Sequence, residues 1–504
     1  MNNENRSKSV IIIGAGFAGL GAGIYAQMNG YQTEIFELHD KPGGLCTAWK
    51  RKGFTIDGCI HWLVGSSPKS GMHDMWEEVG VAQGLKIIDM DEYCRFEHTD
   101  GRKVILYTNL DKLEQHLLEL SPADAEPIKD FTRSIRLMTL IDPPSTKLPG
   151  FQRMKTGLKV MWTFMTKSAL LKRWLNTSAE EFSSRFQDPL LRQAFKEMWF
   201  PEFSMFFMLF TFAYMNNKNA GYPLGGSMPM SEALEARYKE LGGVIHYKRR
   251  VETILTKEGR AYGVKLQNGE EHFAGKVISA ADGYATIFKM LDGKFGDERT
   301  FKPFKKWKIF PPLIYIGLGV NRTFENEPLS ISGISFKLKN PVNIAGLERT
   351  WLPVHIFNHD PSMAPAGKTT IAIMLPSSYD FWKSLDQDAY HAKKQEVASQ
   401  IVESLEQRFP GISGQVEMTD VSTPLTFERY TGNWQGSFEG WMITPENSGV
   451  LMKKMLQELP GLKNFYMCGQ WVEPGGGLPT GIMSGKRLVK AMCKADGKKF
   501  TIIQ

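Results

Sequence analysis

The chain has 504 residues, room for about three domains of ordinary size, and its 42% hydrophobic and 12% aromatic content excludes wholesale disorder. Lys and Arg number 61 against 54 Asp and Glu, so the formal charge of +7 is small for this length and implies no nucleic-acid partner. The five cysteines (Cys46, Cys59, Cys94, Cys468, Cys493) include no CxxC pair, so the chain predicts a reducing compartment rather than a disulfide scaffold or a cysteine zinc site. Val10-Ile11-Ile12-Ile13 reads as a buried parallel strand. The glycines that interrupt the apolar run after it argue against a secretion signal. The strand runs into Gly14-Ala15-Gly16-Phe17-Ala18-Gly19, followed by a helix-compatible stretch ended by Gly30. A second strand, residues 32–36, delivers Glu37.

A GxGxxG alone is weak, but strand, glycine turn, helix and acidic residue together predict a dinucleotide site. Gly14 allows the tight turn, Gly16 lets the backbone approach the pyrophosphate, and Gly19 lets helix and strand pack closely. The helix N-terminus offers unpaired N–H groups to phosphate, and Glu37 is placed to accept the adenosine ribose hydroxyls.

From 143 to 179 there is no acidic residue, but there are seven basic ones, among them Lys155, Lys159 and Lys167. Lys155, Lys159, Thr163 and Lys167 recur every four residues as one helical stripe; Leu158, Met161, Trp162, Met165, Leu171 and Trp174 lie largely off it. A basic helix with aromatic anchors suits an anionic membrane surface, so Lys155, Lys159, Trp162, Lys167 and Trp174 are expected to touch one. The alternative is a solvated basic face packed on a core. The longest apolar run, residues 203–215, is too short to span a bilayer and predicts a buried helix or strand. A cytoplasmic, peripherally membrane-associated protein is expected.

Further on, residues 242–254 lead through Val251 to Val277-Ile278-Ser279-Ala280-Ala281-Asp282. His359-Asp360 lies in a polar stretch and is expected at the surface rather than in a metal site. Near the C-terminus, Phe465-Tyr466-Met467-Cys468-Gly469-Gln470, then Gly475-Gly476-Gly477-Leu478-Pro479-Thr480-Gly481-Ile482, predict a strand, a glycine loop and another helix N-terminus.

Several of these segments resemble a known family. Gly43-Gly44, shortly after Glu37 and its neighbour Leu38, is similar to the extended fingerprint of the flavoproteins that include glutathione reductase and monoamine oxidase, which implies FAD rather than NAD. Val251 and Ala280 match the segment that rests the adenine in such folds. The helix end at Gly477, Leu478 and Thr480 matches the one that faces the flavin pyrimidine, where its dipole stabilises the reduced anion. With Gly53-Phe54-Thr55-Ile56-Asp57-Gly58-Cys59-Ile60-His61-Trp62 and Pro424-Leu425-Thr426-Phe427-Glu428-Arg429-Tyr430-Thr431-Gly432, the whole chain is similar to the phytoene desaturase, carotenoid isomerase and retinol saturase group of the amine-oxidase-like superfamily. Two positions depart from that pattern. Leu45 follows Gly44 where many relatives have arginine, and Gln470 follows Gly469 where an acid is common.

The resemblance implies a two-lobed α/β flavoprotein. A Rossmann-like FAD-binding domain is expected over 1–100, 221–300 and 425–504. An interleaved substrate domain of mixed sheet plus helices is expected over 101–220 and 301–424. It implies hydride transfer at flavin N5 that saturates, desaturates or isomerises C=C bonds of an apolar polyene or isoprenoid lipid, with oxygen, a quinone or an external reductase as electron partner. An amine- or protoporphyrinogen-type oxidase and a non-enzymatic prenyl-lipid carrier are the alternatives. His61, Glu428 and Tyr430 are the acid–base candidates, His61 also as a flavin contact. Glu202, in an apolar run, would have a raised pKa if buried.

Overall fold

The computed structural model describes residues 8–503. Its first layer is a five-stranded parallel sheet in the order Val244–His246, Gln32–Phe36, Ser9–Ile13, Lys276–Ser279, Phe465–Met467. The central strand, Ser9–Ile13, is apolar and buried along nearly its whole length, as a strand covered on both faces must be. Helix Phe17–Met28 packs on helix Leu478–Ala495, so the two ends of the chain meet. Their contact is close because small residues face each other: a Cβ on Gly485 would lie 2.6 Å from the Ala22 nitrogen.

The second layer is a seven-stranded mixed sheet, in the order Val416–Ser422, Leu313–Val320, Thr369–Pro376, Leu347–Ile356, Ile334–Ile344, Glu92–Glu97, Lys103–Tyr107. Helix Gln387–Glu406 covers it with Val397, Ile401 and Leu405, all fully buried. The strands at 92–107 belong to this sheet, so the first nucleotide-binding segment ends before residue 92 rather than at 100. Their residue pattern cannot say which sheet they join; the parallel pairing of Ile334 with Arg95 decides it.

Helix Met205–Asn216, packed on helices Ala125–Met138 and Gly150–Leu175, is almost entirely apolar and mostly buried, as the run at 203–215 predicts. Helix Gly150–Leu175 behaves differently. Its C-terminal end packs through Leu171 and Trp174 into the main core, and Trp174 Nε1 donates to Ser134 Oγ at 3.0 Å. Trp174 is 1% exposed and is therefore an internal anchor, not a membrane contact. The lysine row also departs from expectation. Each i+4 step advances about 40° around a helix of 3.6 residues per turn. The row thus winds inward: Lys155, Lys159 and Lys167 are exposed, but Thr163 between them is buried. On the outward side, Phe151, Met154, Leu158, Met161, Trp162 and Met165 recur at three- and four-residue spacing, and all stand more than half exposed. Among the described residues no helix is long and apolar enough to cross a membrane.

Candidate flavin site and apolar cavity

The carboxyl ends of the parallel strands converge on one crevice, where ligands bind in open α/β sheets. Gly14 N donates to the Phe36 carbonyl and Ala280 N to the Ile13 carbonyl, which locks the turn after the first strand against both neighbours. Gly14 has φ +97°, a conformation open to glycine. A Cβ on Gly19 would lie 2.0 Å from the Gly14 oxygen, so only glycine admits this helix so close to its strand. No side chain caps the helix at Gly16, which leaves its amides for a ligand.

Glu37 is 6% exposed, and its carboxylate accepts from Ala15 N at 2.6 Å and His39 N at 2.8 Å. Burial raises its pKa, and the backbone hydrogen bonds pull it down. Its carbonyl accepts from Arg249 N, which fixes Arg250 and Val251 at the edge of the crevice. Gly14, Gly16, Phe17, Ala18, Glu37, Leu38, Gly43, Gly44, Leu45, His61, Val251, Ala280, Gly469, Gln470, Gly477, Leu478 and Thr480 all line one cavity of about 1070 Å³. Of the residues expected at the cofactor, three stand behind that wall. The Ala15 amide is taken by Glu37, Gly19 packs beneath the turn, and Ile482 is fully buried against Gly21.

The loop carrying Cys59 and His61 is held by Asp57, a buried carboxylate that sequence reasoning missed. It accepts from Cys59 N at 2.9 Å, Ser227 N at 2.6 Å and Ser227 Oγ at 2.6 Å. His61 stacks on His355, with ring centroids 4.9 Å apart, and His355 lies 5.8 Å from His359. Burial pushes His61 and His359 down to about 4. His359 is 7% and Asp360 2% exposed, so this pair is internal rather than at the surface. Tyr222 donates to Asp360 Oδ2 at 2.9 Å, which turns the polar stretch inward. Among the described residues no group of three or more His, Cys, Asp or Glu could hold a metal ion.

The remaining acid–base candidates move. Tyr430 packs edge-on against His39, 5.0 Å between centroids, two residues past Glu37. It lines the cavity on the side of Glu37 and Leu38. Glu428 lines the cavity and accepts from Tyr379 Oη at 2.6 Å. Glu202 is exposed and paired with Lys308 at 2.8 Å, not buried. A carboxyl that sequence did not mark takes its place. Glu439 lines the cavity, its Oε1 accepts from Gly477 N at 2.7 Å, and burial raises it to about 7. Arg250, Lys289 and Arg429 also line the cavity, so positive charge is at hand although Leu45 stands where relatives have arginine.

Away from the nucleotide loops the same cavity becomes aromatic. Trp62 stacks on Trp199, and Trp199 on Phe203 at 5.0 Å. Trp199 Nε1 donates to Tyr93 Oη, and Trp351 meets Phe96 edge-on at 5.9 Å. Phe207 and Phe210 of the apolar helix Met205–Asn216 close one side.

The comparisons agree with this geometry. Residues 17–493 match the profile of the family described as flavin containing amine oxidoreductase. The chain is 27% identical to prolycopene isomerase 1, chloroplastic, of an Oncidium hybrid cultivar, over 96% of this chain and 83% of that protein. It is 24% identical to the lycopene-forming phytoene desaturase of a Paracoccus species, over 96% and 97%. Among solved structures, an oxidoreductase from Methanosarcina mazei aligns with a TM-score of 0.59 at 17% identity, covering 96% and 100% of the two chains. Cyclohexylamine oxidase from Brevibacterium oxydans aligns with a TM-score of 0.61 at 13%, covering 98% and 100%. At those identities the structures show the fold alone. Two helix N-termini at the cavity, the first without a side-chain cap, a buried carboxylate at Glu37 and a cavity of about 1070 Å³ fit FAD. By its match over nearly the whole length, the chain belongs to the flavin containing amine oxidoreductase family and is an FAD-dependent oxidoreductase.

Proposed function

We propose that this flavoenzyme desaturates or isomerises C=C bonds of an apolar polyene lipid that it takes from an anionic membrane surface. The observation that carries the reading is the continuity of one cavity from the glycine loops to the aromatic wall of Trp62, Trp199 and Trp351. An extended, conjugated chain could lie there with one end against the flavin loops. The named relatives, a prolycopene isomerase and a phytoene desaturase, support the substrate class.

Bound FAD supplies hydride exchange with a substrate carbon. The chain's own residues do the rest. The amides at the helix start beyond Gly16 and the Glu37 carboxylate hold and orient the dinucleotide. The aromatic wall excludes water and aligns the substrate. His61, held neutral by burial, can accept a proton at a ring nitrogen. Glu439 holds a proton up to about pH 7 and is the better donor near neutrality.

Membrane contact rests on the outward face of helix Gly150–Leu175. Its apolar stripe is flanked by Lys155 and Lys159, the composition of a helix that lies in the interface plane. Its inner end is tied to the wall of the cavity: Ser204 Oγ, just before helix Met205–Asn216, donates to the Leu175 carbonyl at 3.0 Å. A cytoplasmic chain with this peripheral contact is the localisation we infer.

The test is to present prolycopene and phytoene in phosphatidylglycerol vesicles to the flavin-loaded protein, under oxidising and reducing conditions, and to separate the products by chromatography. Isomer formation without net redox marks an isomerase, and additional conjugated double bonds mark a desaturase. Turnover of neither polyene, with turnover of a primary amine instead, would refute the proposal.

A further inference from the structure

Arg349 is out of place in the aromatic end of the cavity. It lies on strand Leu347–Ile356, and the two-residue period of a strand puts Arg349, Trp351 and Pro353 on one face; all three line the cavity. Its Nη2 donates to the Pro376 carbonyl, while its Nε is buried with no acceptor. Among the described residues no carboxylate pairs with it. The opposing charge it feels comes from Glu197, which is itself exposed, and burial pushes the guanidinium down.

A guanidinium carries five donors and stays charged in proteins. Holding it in an apolar wall without a counter-charge is costly, and the cost falls when a bound anion supplies that charge. The other cavity cations do not serve this end. Arg250 adjoins Val251 at the ribose side, and Arg429 shares a second, basic hollow with Leu38, Lys248 and Arg249. Near Arg349, Glu197 and Glu348 line the rim, so a ligand with more than one negative charge would be repelled.

We propose that the aromatic end of the cavity recognises a single carboxylate, so that the preferred substrate is a long apolar chain ending in a carboxyl group received by Arg349. This deepens the lipid reading above and rests on it. A hydrocarbon without a polar end would leave the guanidinium without a counter-charge. A carboxylate brings the missing counter-charge to the guanidinium's Nη end, a charge-assisted contact that a hydroxyl cannot match.

The experiment compares matched ligands on the flavin-loaded full chain by equilibrium dialysis, with methyl-β-cyclodextrin as carrier. One pair is retinoic acid and retinol, the other palmitic acid and hexadecanol; the two pairs separate a polyene acid from a saturated fatty acid as the source of the carboxylate. In the unaltered protein the acid of at least one pair should bind about tenfold or more tightly than its alcohol, the scale of a charge-assisted hydrogen bond. Arg349→Met should abolish that preference while leaving alcohol binding within about twofold, and Arg349→Lys should keep part of it. Equal binding of acid and alcohol in both pairs, or a preference that survives in Arg349→Met, overturns the proposal and leaves the lipid cavity standing. Failure of all four ligands to bind removes both. The comparison on the unaltered chain needs no variant to fold.

Discussion

Replacing Trp162 by Ser tests the outward face of helix Gly150–Leu175 with little risk to the fold. Trp162 is 67% exposed, and an aromatic side chain presents 150–250 Å² in full, so about 160 Å² of its surface faces solvent. If half of that enters the lipid interface at about 25 cal/mol per Å², the ring contributes about 2 kcal/mol to binding, or roughly 30-fold in the partition coefficient. Sedimentation with sucrose-loaded vesicles of phosphatidylglycerol and phosphatidylcholine measures that coefficient directly. Stability should change by less than about 0.5 kcal/mol, as at other exposed sites. Phe273 is 52% exposed on the separate three-stranded sheet, so Phe273→Ser is the control and should partition like the unaltered chain. A partition coefficient for Trp162→Ser within about threefold of the original, or an equal loss in Phe273→Ser, refutes the reasoning.

Other predictions concern the cradle and its ionisation. Glu37→Gln leaves one oxygen where two now accept from Ala15 N and His39 N; FAD affinity by titration should fall about 10- to 100-fold, and an unchanged affinity denies Glu37 the ribose role. Gly19→Ala forces a Cβ to 2.0 Å from the Gly14 oxygen; the protein should purify with little or no flavin, and a full 450 nm to 280 nm absorbance ratio would show that the turn can yield. Glu439 carries a pH signature. Its pKa is about 7 when folded against 4.5 ordinarily, so between these values the folded chain binds more protons than the unfolded one. Its stabilising share is therefore complete below about pH 4.5 and is lost as pH rises through 7, a decline of about 3 kcal/mol. Urea denaturation of the flavin-free protein at pH 5 and pH 8 should show a smaller decline in Glu439→Gln, and an identical decline assigns the effect elsewhere.

The parts of the site that could be read from sequence are those built by neighbouring residues. Gly14 to Gly19, Glu37 and Gly475 to Thr480 act through backbone geometry, and local spacing specifies backbone geometry. Strand 32–36 was legible from its own pattern, whereas the apolar run at 203–215 told burial but not whether it is helix or strand. What was not legible depends on distant contacts. Asp57 matters because Ser227 lies on it, Glu439 because Gly477 does, and Arg349 because Pro376 does. No spacing encodes such pairs. His359-Asp360 reads as a surface pair until Tyr222 is packed against it, and Tyr430 reads as a reacting group until His39 is found beside it. Trp174 and Trp162 are both tryptophans of one basic helix. Only the direction of the helix, set by Leu171 and Trp174 entering the core, separates anchor from exposed ring.

Burial acts in one sense on the cavity's Glu439, Asp282 and His61 and on the histidines His355 and His359 stacked beyond His61. It pushes Glu439 up to about 7 and Asp282 up to about 6, while it drives His61 and His359 down to about 4 and His355 further below its ordinary value. Burial thus shifts these acids and bases alike toward their neutral forms. Such a wall can meet an apolar chain and still hand over a proton. Arginine is the side chain that this mechanism cannot neutralise. At the nucleotide end, Arg250 and Arg429 have a dinucleotide's phosphates as natural counter-charge. At the aromatic end, Arg349 pairs with no carboxylate among the described residues, so its counter-charge is a property of the ligand.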